Sequence, residues 1–160
     1  MDLNILDIFL KLGVALILGG IVGLERSLAG KTAGMRTYAM VALGSALFVV
    51  IGESISNLYI GTVALDPLRI ASQIVVGVGF IGAGLVIFQG NKIQGITTAA
   101  GLWVSAGVGM ACGFGLYQIG IVGTILALGV FTVMWFLESK LKLFSYGVSE
   151  DCDDKNKPQI

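Results

Sequence analysis

The side chains able to do chemistry fall in three short stretches. The first holds Glu25, Arg26, Lys31, Arg36 and Thr37, with four of the chain's twenty charged residues inside twelve positions. Apolar runs abut it on both sides, so its charges stand at or just inside a membrane boundary, where a charge is costly unless paired or hydrated. Glu25, Arg26 and Arg36 have two readings: boundary anchors that snorkel to lipid phosphates, or an ion-pair network at the mouth of a bundle. The ten residues between Glu25 and Arg36, with Gly30 and Gly34 among them, are long enough to bring both together.

The second stretch holds Asp66, Arg69 and Gln73, spaced i, i+3 and i+7, so one helical face carries all three. They are read as a helix cap with an interhelical hydrogen bond, or as the outer half of a polar cavity. Lys11 and Glu53 fall at a similar depth and form a candidate outer charged cluster with Arg69. The third stretch, Asn91 to Thr98, is polar and encloses a glycine. Thr97 and Thr98 either satisfy backbone groups at a helix start or supply hydroxyl ligands. Trp103 lies near the middle of an apolar run, which suggests packing inside the bundle and a cavity wall.

These sets exclude much. The chain has no histidine, which removes the zinc-protease helix motif and the Ser-His-Asp triad. No nucleophile stands beside a base, so no enzyme is expected. No cofactor is expected either. Mg²⁺ is the one metal considered, since it takes oxygen ligands; Glu25 and Asp66 are its weak candidates. Arginines accompany both acids, which suits a salt-bridged gate better than a bare cation cage. Cys112 sits in an apolar run and Cys152 in the polar tail, so no disulfide is expected between them. Net charge is zero and nothing invites nucleic acid.

The elements that position these groups are membrane spans. The chain is 160 residues, 56% hydrophobic and 12% charged, with a mean hydropathy of +0.92. About 20 apolar residues cross a bilayer, and five runs qualify: about 5–24, 35–55, 68–88, 96–114 and 117–137. The predicted fold is an all-α membrane bundle of five helices. A transmembrane domain over 1–146 precedes a short polar tail, 147–160, expected to be disordered and cytoplasmic. The N-terminus has no basic leader region and is expected to be a retained span. Eight of the ten basic residues lie on one side, which places the N-terminus outside and the C-terminus in the cytoplasm.

Glycine accounts for 24 residues and keeps helical spacing. Gly19 and Gly23 form one GxxxG; Gly77, Gly79, Gly82 and Gly84 crowd the third span; Gly101, Ser105, Gly109 and Gly113 form a stripe in the fourth. Small residues at this spacing let helices approach closely, within one chain or between copies. The predicted state is a homo-oligomer, a dimer first, among membrane lipids. A shift of 61 residues aligns Gly23-Leu24 with Gly84-Leu85, Lys31 with Lys92 and Gly34 with Gly95. That alignment would make the first two helix hairpins a parallel repeat; chance similarity is the competing explanation.

Three motifs carry a family resemblance. They are Gly20-Ile-Val-Gly-Leu-Glu-Arg26 with Ala33-Gly-Met-Arg-Thr37; Asp66-Pro-Leu-Arg-Ile-Ala-Ser-Gln73 with Gly77-Val-Gly-Phe-Ile-Gly-Ala-Gly84; and Gly95-Ile-Thr-Thr-Ala-Ala-Gly-Leu-Trp103. Together they resemble the MgtC/SapB family of bacterial inner-membrane proteins. The resemblance implies five spans, a cytoplasmic C-terminus, and Glu25, Arg26, Arg36, Asp66, Arg69 and Gln73 as a shared polar set. It implies a link to adaptation to low magnesium and, in pathogens, to survival inside macrophages. A membrane partner such as the rotary ATP synthase is implied as well. Better-known members continue into a soluble C-terminal domain, whereas this tail stops at Ile160, so a transmembrane-only form is expected.

Two functions follow as expectations. The favoured one is a regulatory module tied to magnesium limitation and membrane energy or ion homeostasis, acting through membrane protein partners. The alternative is a transporter or channel for Mg²⁺, another ion or a small solute through a polar cavity.

Overall fold

A computed structural model of the chain describes residues 4–58, 66–89, 92–137 and 140. It divides into two compact units, Met1–Ala127 and Leu128–Ile160. The first unit holds α1 (Ile5–Leu28), α2 (Met35–Leu58), α3 (Pro67–Leu85), β1 (Ile87–Gln89), β2 (Lys92–Gln94), α4 (Ile96–Gly113) and the larger part of α5 (Tyr117–Gly129). Among the described residues, five helices are long and apolar enough to cross a membrane: Ile5–Leu28, Met35–Ser56, Leu68–Leu85, Ile96–Gly113 and Tyr117–Leu137. The protein is a multi-pass membrane bundle.

Local chemistry sets the helix ends. Asn4 caps α1, its side chain accepting from the Leu6 amide at 3.2 Å. At the other end of α1, Gly30 adopts φ +65°. Its amide donates to the Ser27 carbonyl, and the Lys31 amide to the Arg26 carbonyl. This double closure needs a left-handed residue that only glycine adopts cheaply. The same closure ends α4, where Gly115 and Leu116 donate to Cys112 and Ala111. That tight stop sends α5 back along α4, with Gly120 beside Cys112 and Val108. Asp66 caps α3 through the Leu68 amide at 2.9 Å, and Pro67 opens the helix.

One expected element is shorter than the apolar run suggested. The third span was expected through Phe88, but α3 ends at Leu85. Beyond it β1 pairs antiparallel with β2, matching Phe88 to Ile93 and Ile87 to Gln94. Ile87, Phe88 and Ile93 are strand formers.

Helix α2 is the centre of the first unit and packs against α1, α3 and α4. Tyr38, Ala42, Ala46 and Val49 are fully buried along it. On one flank Ala15, Ala46, Val108 and Cys112 form a core; on another Val49, Ile74, Val78 and Ala106 form a second. Glycine makes the close approaches. A Cβ at Gly19 would stand 2.6 Å from Ala42 Cβ, and one at Gly109 only 2.1 Å from the Ala42 carbonyl oxygen. Gly23 and Gly113 continue both contacts one turn along.

In the second unit, the end of α5 passes into a π-turn, Val130–Met134, then one more helical stretch. The Lys140 ammonium lies 5.3 Å from the Phe136 ring centre. The polar tail expected over 147–160 lies outside the described residues.

Candidate functional site: polar groups at two ends of the bundle

The polar residues separate into two groups, one at each end of the α2 axis. The first surrounds the turn from α1 to α2. Arg26 is buried, its side chain 5% exposed, and Glu25 beside it is 21% exposed. Arg26 donates both Nε and Nη2 to the two Glu25 carboxylate oxygens, the Nη2 bond at 2.6 Å. Two parallel charge-assisted bonds are the strongest geometry such a pair has. Next to them Ser27 Oγ accepts from the Met35 amide at 2.9 Å, joining the end of α1 to the start of α2. Gly34 permits this, since a Cβ there would meet that same oxygen at 2.2 Å.

Deeper in, Tyr38 locks α2 to α4. Its hydroxyl donates to the Thr98 carbonyl at 3.1 Å, and Ser105 Oγ donates to the Tyr38 carbonyl at 3.0 Å. A tyrosine with no exposed surface must find such a partner. Ser27 and Tyr38 carry this end, and residue reading passed over both. The signal was available: each lies in the charged stretch or within two residues of Arg36.

The second group lies at the opposite end. Lys11 bonds Glu53 Oε2 at 2.8 Å and lies 3.4 Å from Asp7 Oδ2. Arg69 does not join this cluster; among the described residues it makes no ion pair. Instead Asp66, Arg69 and Gln73 line the mouth of a groove of about 830 Å³ between α2 and α3. The rest of the groove is apolar apart from Ser45 and Thr37, with Phe48, Ile70, Ile74, Val78 and Ile81 among its walls.

The sequence set therefore does not line one cavity. Thr37, Asp66, Arg69 and Gln73 share the groove. Glu25, Arg26, Arg36, Thr97 and Thr98 do not line it. The separation is geometric. Thr37 and Gly52 mark the ends of the groove along α2, and fifteen helical residues span about 22 Å. Arg36 and Thr97 are exposed, and Arg36 forms no pair with Glu25 among the described residues. Trp103 was expected as a cavity wall but is 54% exposed. It stands two residues, about 200° around the helix, from Ser105, which faces α2.

Glu25 and Asp66, each weighed as a Mg²⁺ candidate, do not form one joint site. They sit at opposite ends, the Glu25 oxygens are held by Arg26, and Asp66 Oδ1 is engaged by the α3 cap. The two carboxylates cannot share one ion.

The glycine stripes have different surroundings. Gly19, Gly23, Gly109 and Gly113 face α2 at close range, Gly101 and Ser105 are buried, and a Cβ added at Gly82 would meet Ala99 Cβ at 3.6 Å. Gly77, Gly79 and Gly84 on α3 would meet nothing within 4 Å of an added Cβ.

The chain matches the model of the MgtC family over residues 12–140, a range that takes in every residue of both groups except Lys11 and Asp7. It is similar to the protein named "Putative magnesium transporter YhiD" of Escherichia coli K12, with 42% identity over 142 residues, covering 88% of this chain and 66% of that one. Protein MgtC of Brucella abortus strain 2308 is 42% identical over 116 residues, 72% of this chain and 46% of that one. Protein MgtC of Salmonella typhimurium LT2 is 41% identical over 119 residues, 74% and 48%. The chain thus spans about two thirds of YhiD and about half of MgtC. No solved structure matches it.

Proposed function

The chain belongs to the MgtC family, and from that premise we propose that it is a regulatory module of the bacterial inner membrane. In this reading it acts by contact with other membrane proteins and adjusts magnesium or energy homeostasis. Its N-terminus faces outward and its C-terminus the cytoplasm.

One observation carries this reading: the interior between α1, α2 and α4 is closed at Ala42. Gly19 of α1 and Gly109 of α4 press on that residue from two sides, at distances that leave no room for a Cβ. The polar groups at the two ends are separated by this packed section, and the end near Glu25 uses its polar atoms to tie helices together. Such an interior suits a scaffold that presents surfaces. The free surface is on α3, where Gly79 and Ala83 are exposed one turn apart, a spacing that permits close helix docking. A homodimer belongs to the same reading, with the exposed apolar side chains of α5, Ile119, Val122 and Ile125, against a second copy.

The test is photo-crosslinking from position 79 in native membranes. A covalent adduct with a second, different membrane protein supports the reading; adducts with copies of the chain alone count against it.

Ion transport is the second reading. The observations favouring it are the printed name of YhiD and the polar mouth formed by Asp66, Arg69 and Gln73. Proteoliposome flux decides it. Uptake of Mg²⁺ that Arg69→Gln abolishes would establish transport; no uptake by folded, oriented protein would remove it.

A further inference from the structure

We propose that the groove between α2 and α3 is a binding site for one zwitterionic glycerophospholipid whose headgroup carries a primary ammonium beside its phosphate. The phosphate sits at Arg69 and Gln73, the ammonium at Asp66, and one acyl chain runs down the groove. This site goes beyond the regulatory reading and stands or falls independently of it.

The placement of the mouth comes first. Helix α3 has 19 residues, about 28 Å, close to the roughly 30 Å hydrocarbon core. Its N-cap, Asp66, is therefore at headgroup level, with Arg69 one turn inside. Arginine at that depth reaches back to phosphate with its stem in the apolar layer. Its planar fork matches phosphate in two parallel bonds.

The charges at the mouth are complementary to a zwitterion. Arg69 makes no ion pair among the described residues. Asp66 uses Oδ1 for the Leu68 amide, while Oδ2 accepts no hydrogen bond among the described residues. One open positive and one open negative group stand three residues apart on the same groove. An anionic headgroup would satisfy Arg69 and be repelled by Asp66. A trimethylated headgroup would balance charge but has no N–H to give to Asp66. A primary ammonium next to a phosphate satisfies both.

The groove matches the rest of such a molecule. From Arg69 to Ile81 it runs along twelve residues of α3, about 18 Å, and along α2 for about 22 Å. That is longer than one leaflet, half the roughly 30 Å core, and leaves length for one extended acyl chain. Its floor is opened by Gly44 and Gly77, where an added Cβ would meet nothing within 4 Å.

The full chain, reconstituted in nanodiscs of equal phosphatidylethanolamine, phosphatidylglycerol and phosphatidylcholine, would be released and read by native mass spectrometry. The expected result is one retained phosphatidylethanolamine in preference to the other two. Arg69→Gln lowers that retention about tenfold, the scale of one charge-assisted bond. Asp66→Asn, which keeps the helix cap, erases the preference of ethanolamine over choline without abolishing retention. Gly77→Leu fills the groove and removes the lipid, whereas Gly79→Leu, outside the groove, leaves it bound. Equal retention of all three lipids by the unaltered chain would overturn the proposal, as would full retention by folded Gly77→Leu. Circular dichroism establishes the fold of each variant, and the conservative Asp66→Asn keeps the test decisive if Gly77→Leu does not fold.

Discussion

The hydroxyl of Tyr38 reaches across to the Thr98 carbonyl at 3.1 Å, joining α2 to the first turn of α4. The return bond, from Ser105 Oγ to the Tyr38 carbonyl at 3.0 Å, makes Tyr38 a two-way lock. Tyr38→Phe keeps the ring's packing and deletes only the hydroxyl bond. It is expected to lower stability by about 0.5–1.5 kcal/mol, the range for hydrogen bonds between membrane helices. Reversible unfolding in mixed micelles measures this. Stability equal to that of the unaltered chain would show that the bond contributes nothing.

At Ala42 both α1 and α4 approach α2 closely. Gly109→Ala puts a methyl 2.1 Å from the Ala42 carbonyl oxygen, a backbone atom that cannot swing aside. Overpacking of this kind costs about 1–3 kcal/mol. Gly79→Ala, with open space around it, should leave unfolding unchanged. The same mixed-micelle titration separates them, and equal behaviour of both variants would mean that the helices do not meet at Ala42.

The Arg26–Glu25 and Lys11–Glu53 ion pairs should differ in worth. Arg26 and Glu25 are 5% and 21% exposed at the side chain, whereas Glu53 is 44% exposed in its pair with Lys11. Arg26→Gln leaves a part-buried carboxylate without its partner and should cost about 3 kcal/mol. Glu53→Gln should cost less than about 1 kcal/mol, as solvated pairs do. Raised salt should weaken only the second pair. A larger loss from Glu53→Gln than from Arg26→Gln would reverse the assignment of which end is buried.

Gly95 lies at the joint between the β-hairpin and α4, with φ +92° and the Leu85 carbonyl oxygen 2.0 Å from any added Cβ. Gly95→Ala is strained in both respects. It should cost at least about 1–3 kcal/mol, read as a lower yield of folded protein and a lower melting temperature. A variant that melts like the unaltered chain would show that this joint relaxes freely.

Much of this was legible in the residues. The five spans follow from length and hydropathy alone, and Asp66-Pro67 marks the start of α3 through cap chemistry. The face shared by Asp66, Arg69 and Gln73 follows from helical spacing and is the face that lines the groove. What periodicity does not encode is which partner a side chain meets. Glu25 and Arg36 stand eleven residues apart and invite a pair, yet Arg26, the immediate neighbour of Glu25, takes both carboxylate oxygens. Small-residue stripes look alike in sequence, so nothing distinguished Gly109, pressed on Ala42, from Gly79, open on α3. Trp103 misled because an aromatic at mid-span packs equally well against lipid, and only the register of α4 decides its side.

The proposed role depends on contact with a membrane protein through the exposed face of α3, and photo-crosslinking from position 79 tests it most directly. With the full chain in native membranes, it predicts a covalent adduct whose mass is not a multiple of the chain's 16.7 kDa, containing a second membrane protein and weakened by Ala83→Leu on the same face. Adducts formed only with lipid or with further copies of the chain, across repeated membrane preparations, would contradict it.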